Sequence, residues 1–226
     1  MNLIDKTKIR IEYYIELITK KITTSILYNN FMNTTPFLKI LHRTYETQTP
    51  VYLSMWFMQN IIGFNRGAYW QMHFTSQVGN WRNVYAGIET SPGYMPGCYI
   101  QSEGKIFIGD YTQIASNVGI ITANHDVFDS RKHSKPKDVK IGSYCWIGMN
   151  SVILPGTNLG DFTVVGAGSV VTKSFTDGYC VIAGNPAKKI KDLPKEDCVK
   201  HRSKYEYNGY IPSEKFEDFR RKELNV

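Results

Sequence analysis

The sequence predicts a mainly β fold, a left-handed parallel β-helix, and three observations predict it. From residue 108 the chain repeats every six residues: Ile108, Ile114 and Ile120, then, after a gap, Ile141, Ile147, Ile153, Leu159, Val165 and Val171. If about a quarter of residues were Ile, Leu or Val, nine in one fixed frame would arise on the order of a few times in a million, so the period is a constraint. The residue after the aliphatic is Gly or Ala at six of the nine positions (Gly109, Ala115, Gly142, Gly148, Gly160, Gly166). The fourth residue after it is small at seven (Thr112, Val118, Cys145, Ser151, Thr157, Thr163, Ser169). A helix repeats at 3.6 residues and a strand at 2, so neither alone gives six. A short strand plus a turn does, with one large and one small side chain pointing inward. Three such units close an 18-residue triangular coil, and stacked coils pair every strand with those above and below. Glycine after the aliphatic would relieve crowding where the chain bends.

The elements follow in order. Residues 1–77 form an N-terminal cap segment of helical pieces rich in aromatic and charged residues, IRIEYYIELITKKI among them. Within it Val51–Phe64 is apolar, too short for the roughly 20 residues of a membrane span, and suits a core or an interfacial helix. Residues 78–191 are the β-helix. Its first, irregular coil covers 78–107, where Val78-Gly79 and Val84 fit the frame before Pro92, Gly93, Pro96 and Gly97 disturb it. Full coils follow at 108–125, 141–158 and 159–176. Between the first and second of these, residues 126–140 break the frame and then restore it, as a polar loop extruded from a corner. Residues 192–226 are a charged tail ending in a helix. Such flanks suit the ends of a β-helix, which would otherwise offer unpaired edges.

Composition narrows the function. The 226 residues are 42% hydrophobic, enough for one good core, and carry a net charge of +7. That charge suits an anionic partner such as a phosphorylated cofactor, yet no nucleic-acid-binding motif accompanies it. The denser basic cluster is Lys188, Lys189 and Lys191 after a Gly-Asn-Pro turn. The four cysteines have no CxxC spacing and the start of the chain has no signal-peptide pattern, which favours a reduced, cytoplasmic setting.

Among residues that could do chemistry, His125 ends the first full coil where the loop leaves. Its unperturbed pKa near 6.5 suits general-base work; position alone leaves that role open beside a corner residue satisfying local hydrogen bonds. His133 lies within the loop and reads as solvated, and His42, His73 and His201 fall outside the frame, so no metal site is expected. Cys145 takes the small inward position and reads as packed core, not a nucleophile. Trp146 should project outward, as packing against a neighbouring subunit or as a wall for a thioester. The run Gly166-Ala167-Gly168-Ser169-Val170-Val171-Thr172-Lys173, with Lys188 and Lys191, gives small residues followed by cations near one end of the helix.

Through IGDYTQIASNVGIITANHD, IGSYCWIGMNSVILPGTNLGD, VVGAGSVVTKSF and VIAGNPAKKI, over about residues 98–191, the chain resembles the hexapeptide-repeat acyltransferases. Within them it is similar to the maltose- and galactoside-type sugar O-acetyltransferases, with a start more like that of enzymes acetylating surface polysaccharides. The resemblance implies His125 as the catalytic base. It also implies acetyl-CoA contacts at Trp146, Gly148, Ala167, Thr172, Lys173, Lys188 and Lys191, and a homotrimer with the cofactor in the groove between two prisms. Met149 stands where relatives often carry serine, and Asp126 where they often carry proline; Asp126 either orients His125 or binds sugar.

The expected chemistry is direct transfer of acetyl from acetyl-CoA to a hydroxyl of a sugar, a surface polysaccharide or its precursor. Backbone N–H groups near Gly148 or the loop are candidate oxyanion donors. The basic balance and the 51–64 stretch are compatible with peripheral contact at the inner membrane face. Two alternatives stand beside this. One is N-acetylation of a nucleotide-linked amino sugar, though residues 1–77 lack the Gly-rich turn of a nucleotide-binding unit. The other is a non-catalytic β-helical scaffold.

Overall fold

The computed structural model describes residues 35–226. It divides into two compact units, one ending at Tyr45 and the other running from Glu46 to Val226. In the first, helix α1 (Pro36–Thr44) starts from Thr35, whose hydroxyl accepts the Leu38 N–H at 3.2 Å, with Pro36 in the first turn and His42 and Arg43 in the last. That is a standard N-cap with cations at the negative end of the helix dipole.

The second unit is a three-sided parallel β-helix of about five turns. Face A stacks β1 (Gln77–Val78), β3 (Tyr99–Gln101), β6 (Gly119–Ile121), β9 (Val152–Ile153) and β12 (Val170–Val171). Face B stacks β2 (Val84–Ala86), β4 (Ile106–Ile108), β7 (Val139–Ile141) and β10 (Asn158–Leu159). Face C stacks β5 (Gln113–Ile114), β8 (Trp146–Ile147), β11 (Thr163–Val165) and β13 (Cys180–Ala183), and ends on β14 (Lys188–Asp192).

The six-residue frame becomes three columns of side chains. Ile100, Ile120, Ile153 and Val171 lie in register on face A, Ile108, Ile141 and Leu159 on face B, and Ile114, Ile147, Val165 and Ile182 on face C. All nine predicted positions are buried. So are the seven small ones, and the five among them with hydroxyls bond inward to backbone, as Thr112 does to Gly142 O at 2.7 Å and Ser151 to Gly166 O at 3.0 Å.

Glycine follows the aliphatic for a different reason than the one read from sequence. Gly109, Gly142 and Gly160 do not have positive φ; a Cβ on Gly142 would lie 2.5 Å from the Asp161 backbone nitrogen of the next coil. The bend comes two residues later. Tyr111, Asn117, Tyr144, Asn150, Gly156, Phe162 and Gly168, each third after an aliphatic, all have left-handed φ. Each non-glycine there bears a steric cost of about 1–2 kcal/mol.

At the corner between faces B and C that position is Glu89 in the first coil and aromatic in the four that follow. Tyr111, Tyr144, Phe162 and Tyr179 form a ladder, with consecutive centroids 5.3, 4.9 and 5.1 Å apart and rings 14°, 7° and 26° from parallel. The C-terminal segment covers it. His201 meets Tyr111 edge-on at 4.7 Å, Tyr144 donates its hydroxyl proton to His201 O at 2.9 Å, and Lys195 lies 4.9 Å over Tyr179. Tyr111 donates to Glu206, whose carboxyl Arg202 holds below its ordinary range.

The tail then returns to the first coil. Asn208 donates to Ala86 O at 3.0 Å, and helix α3 (Ser213–Glu223) sets Phe216 and Phe219 against Tyr69 at 5.3 and 5.2 Å. At the other end β14 turns back antiparallel on β13 and closes face C with an exposed, lysine-bearing edge, a common defence of an open strand.

Val51–Phe64 is neither a core helix nor a span. Helix α2 (Leu53–Phe57) passes into a π-helical turn at Met58–Ile62 that buries Gln59, whose amide binds Ala68 O and Trp70 O at 3.0 Å each. Leu53, Phe57, Ile61 and Ile62 face outward, each about half exposed. Among the described residues no helix is long and apolar enough to cross a membrane. The helical reading of residues 1–34 falls outside the described residues.

The aromatic ladder predicts that Phe162→Ala, which removes a central rung, lowers unfolding free energy by about 3–5 kcal/mol. Urea unfolding followed by far-UV circular dichroism measures this. A loss below about 1 kcal/mol would show that the ladder does not hold the corner.

Candidate active site

The extruded segment leaves the corner between faces A and B after β6. Gln101 anchors its base, its Oε1 accepting the N–H of Thr122 at 3.0 Å and of Ala123 at 2.8 Å. Lys137 N–H closes the far side on Thr122 O at 2.8 Å, and Val139 and Lys140 already belong to β7. In between, the chain is a miniature hairpin. Asp126 N–H donates to Lys132 O and Ser134 N–H to Asn124 O, both at 2.8 Å. Its turn is held by Asp126, whose Oδ1 accepts from Phe128 and Asp129 N–H at 2.9 and 3.0 Å. The Asp126 carboxylate thus organises the turn, and no contact between it and His125 is found among the described residues.

His125 is exposed at this corner, and its Nδ1 lies 2.7 Å from Ser130 O. A carbonyl only accepts, so Nδ1 carries the proton of the neutral ring and Nε2 keeps the lone pair a base needs. His133, read from sequence as a solvated loop residue, stands directly opposite His125 with ring centroids 4.6 Å apart. Its Nδ1 is 3.7 Å from Glu103 Oε2 on the coil below. The signal that could have found it was present: two Asx-turn formers, Asp126 and Asp129, between histidines eight residues apart.

The other predicted residues divide between two corners. Trp146 projects from face C with its side chain about half exposed. Gly148 follows it at the corner between C and A, where a Cβ would lie 2.7 Å from Ala167 N of the next coil. Ala167 and Gly168 are exposed there, and space beyond Gly168 is open. The β13–β14 turn continues the same corner, with Val170 N–H on Gly184 O at 3.0 Å and Ala187 N–H on Val170 O at 2.8 Å, and Lys188 begins the strand beyond it.

Thr172 and Lys173 instead lie past β12, at the A–B corner two coils along from His125. Lys173 Nζ is 5.6 Å over the Phe175 ring. Lys189 pairs with Asp192 at 2.7 Å, whereas Lys188 and Lys191 are exposed with no carboxylate in ion-pair range among the described residues. One chain therefore gathers Trp146, Gly148, Ala167 and Lys188 at one corner, and His125, Thr172 and Lys173 at the other.

Two chemical readings are sharpened. Gly148 N–H donates to Val165 O at 2.8 Å, so it is committed to the sheet and is not a free oxyanion donor. Cys145 is buried with its thiol on Gly160 O at 3.3 Å, and burial pushes that thiol up to about 12, which leaves it inert at neutral pH. Among the described residues no three His, Cys, Asp or Glu side chains are grouped to hold a metal ion.

Comparison with known proteins agrees with these coils. Residues 138–173 match the sequence profile of the family described as bacterial transferase hexapeptide (six repeats), so this stretch of the prism is built of that family's repeats. Over 120 residues the chain is 41% identical to a Saccharomyces cerevisiae protein provisionally named an acetyltransferase, covering 51% of this chain and 59% of that one. Over 119 residues it is 34% identical to the galactoside O-acetyltransferase of Escherichia coli, covering 51% and 54%. The crystal structure of a maltose O-acetyltransferase from Clostridium difficile is 33% identical, covers 53% of this chain and 64% of its own, and superposes with a TM-score of 0.45. The chain thus spans little more than half the length of the curated relatives it matches.

Proposed function

We propose that this chain is an acetyl-CoA-dependent O-acetyltransferase acting on a hydroxyl of a sugar, that of a surface polysaccharide or its precursor, by direct transfer with His125 as general base. The observation that carries the reading is the state of the His125 ring. It is exposed at the one corner where the coil opens, with Nδ1–H spent on Ser130 O and Nε2 left as the acceptor. The names of the sugar O-acetyltransferases among its relatives support the substrate class.

The residues suit this cosubstrate. The open shelf at Ala167-Gly168 accepts a thin pantetheine arm, exposed Trp146 offers an apolar wall, and Lys188 and Lys191 offer charge for phosphates. When bound, acetyl-CoA supplies an acetyl group as a thioester, already activated toward a nucleophile. His125 Nε2 takes the proton of the acceptor hydroxyl as its oxygen attacks the thioester carbon; the imidazolium keeps its Nδ1–H on the Ser130 carbonyl, whose dipole favours the charge, and as the C–S bond breaks it returns the Nε2 proton to the departing coenzyme A sulfur. The shelf and the base lie at opposite edges of face A, so a complete site needs the base corner of one copy beside the shelf of another. A homotrimer of flat-sided prisms supplies that, since a heterologous contact closes into a ring.

Three outcomes are expected. His125→Ala should lower turnover about 10²–10⁴-fold in a transfer assay against a sugar panel while leaving coenzyme A affinity nearly unchanged; an unaltered rate would sink the base assignment. Coenzyme A should raise the melting temperature in a concentration-dependent way, less so in the Lys188→Ala/Lys191→Ala double variant. A chain that coenzyme A does not stabilise would point to a scaffold. Sedimentation equilibrium should give three times the 25.9 kDa chain mass; a monomer that is still active would remove the shared site.

A further inference from the structure

The loop hairpin pairs its two histidines in a particular way. The flanking hydrogen bonds run from Asp126 N–H to Lys132 O and from Ser134 N–H to Asn124 O. His125 and His133 between them exchange none, so they form the non-hydrogen-bonded kind of antiparallel pair. In that kind the two Cα atoms approach to roughly 4.5 Å and the side chains project together from one face of the ladder. The rings accordingly meet 4.6 Å apart, at 80° to one another.

His133 in turn faces the prism. Its Nδ1 faces Glu103 Oε2 at 3.7 Å, and Glu103 sits in the β3–β4 turn, at the same corner one coil below. The neighbouring loop charges are engaged elsewhere: Asp126 on the turn N–H groups, Asp129 on Arg131 and Lys132. The His125 imidazole thus has two orienting contacts, Ser130 O at its Nδ1 and the His133 ring against its side.

We propose that His133 is the positioning residue of the site: its ring holds the His125 imidazole in the orientation that keeps Nδ1–H on Ser130 O and aims Nε2 outward. An exposed histidine on a loop otherwise has free rotation about both side-chain bonds, and a base that wanders loses the near-attack geometry on which proton transfer depends. The inference rests on the reading of His125 as the base, but its principal test does not use activity.

Long-range proton–nitrogen NMR of the full ¹⁵N-labelled chain near pH 8, with His125→Ala used to assign the signal, reports the tautomer of His125. Wild type should show His125 held as the Nδ1–H form. His133→Ala should give a mixture of the two tautomers, and His133→Phe, which keeps a flat ring at the same place, should restore the single form. With a sugar acceptor, kcat of His133→Ala should fall between about tenfold and a hundredfold with KM for acetyl-CoA unchanged, and His133→Phe should recover most of it. A single tautomer persisting in His133→Ala, or a mixture persisting in His133→Phe, overturns the proposal. Failure of the base reading would show separately, as full turnover in His125→Ala.

Discussion

Each coil of the prism is held in register by the hydrogen bonds of its strands to the coils before and after it, one strand spacing away. That spacing governs what the sequence may place where. An inward column must carry side chains that stack on their own kind, hence the runs Ile108–Ile141–Leu159 and Ile114–Ile147–Val165–Ile182. On face B, and at Gly148 on face C, the residue after the column member faces the backbone of the adjacent coil, so a Cβ is expelled at Gly142 by Asp161 N and at Gly148 by Val165 O and Ala167 N. The corners must bend within two residues, so from the second coil on left-handed φ falls on Asn, Gly or an aromatic. At the B–C corner the strain on Tyr111, Tyr144, Phe162 and Tyr179 is offset by stacking, since offset aromatic pairs contribute about 0.5–1.5 kcal/mol each beyond area burial.

This rigidity explains how much of the fold was legible. A column that repeats in space repeats in sequence, so Ile108 to Val171 announce coils, frame and break together. The corner aromatics obey the same period and were readable, but a residue expected in a turn is seldom tested for stacking on turns 18 residues away. The reason for the glycines was misplaced because a one-dimensional pattern marks where a small residue is required, not whether the obstacle is its own bend or a neighbour's backbone. The return of α3 to Tyr69 and Tyr85 had no signal, because one contact between distant segments has no period.

The candidate site was legible only where it shares the frame. His125 stands out because it is the residue at which the frame stops, and Trp146, Gly148 and Ala167 because they occupy fixed places in the repeat. The loop obeys other rules. Its order comes from Asp126 and Asp129 as turn formers and from Gln101, a neighbour on the coil below that accepts two N–H groups where strand pairing ends. His133 therefore reads as one more polar loop residue until the hairpin register sets it across from His125.

The position of the proposed base follows from these constraints taken together. A strand residue of the prism points either into a filled core or flat outward among neighbours at fixed spacing, and neither direction leaves a side chain with two orienting contacts and an open edge. The B–C corner cannot supply them either, since its turn is consumed by stacking. An excursion that leaves the coil, pairs with itself and rejoins at the same corner can. Thr122 and Lys137 close it, so the prism continues undisturbed above and below, while its own short ladder creates a second register in which a histidine has a cross-strand neighbour and a carbonyl within reach. What surrounds His125 is thereby supplied by residues 126–134, outside the frame of the coils.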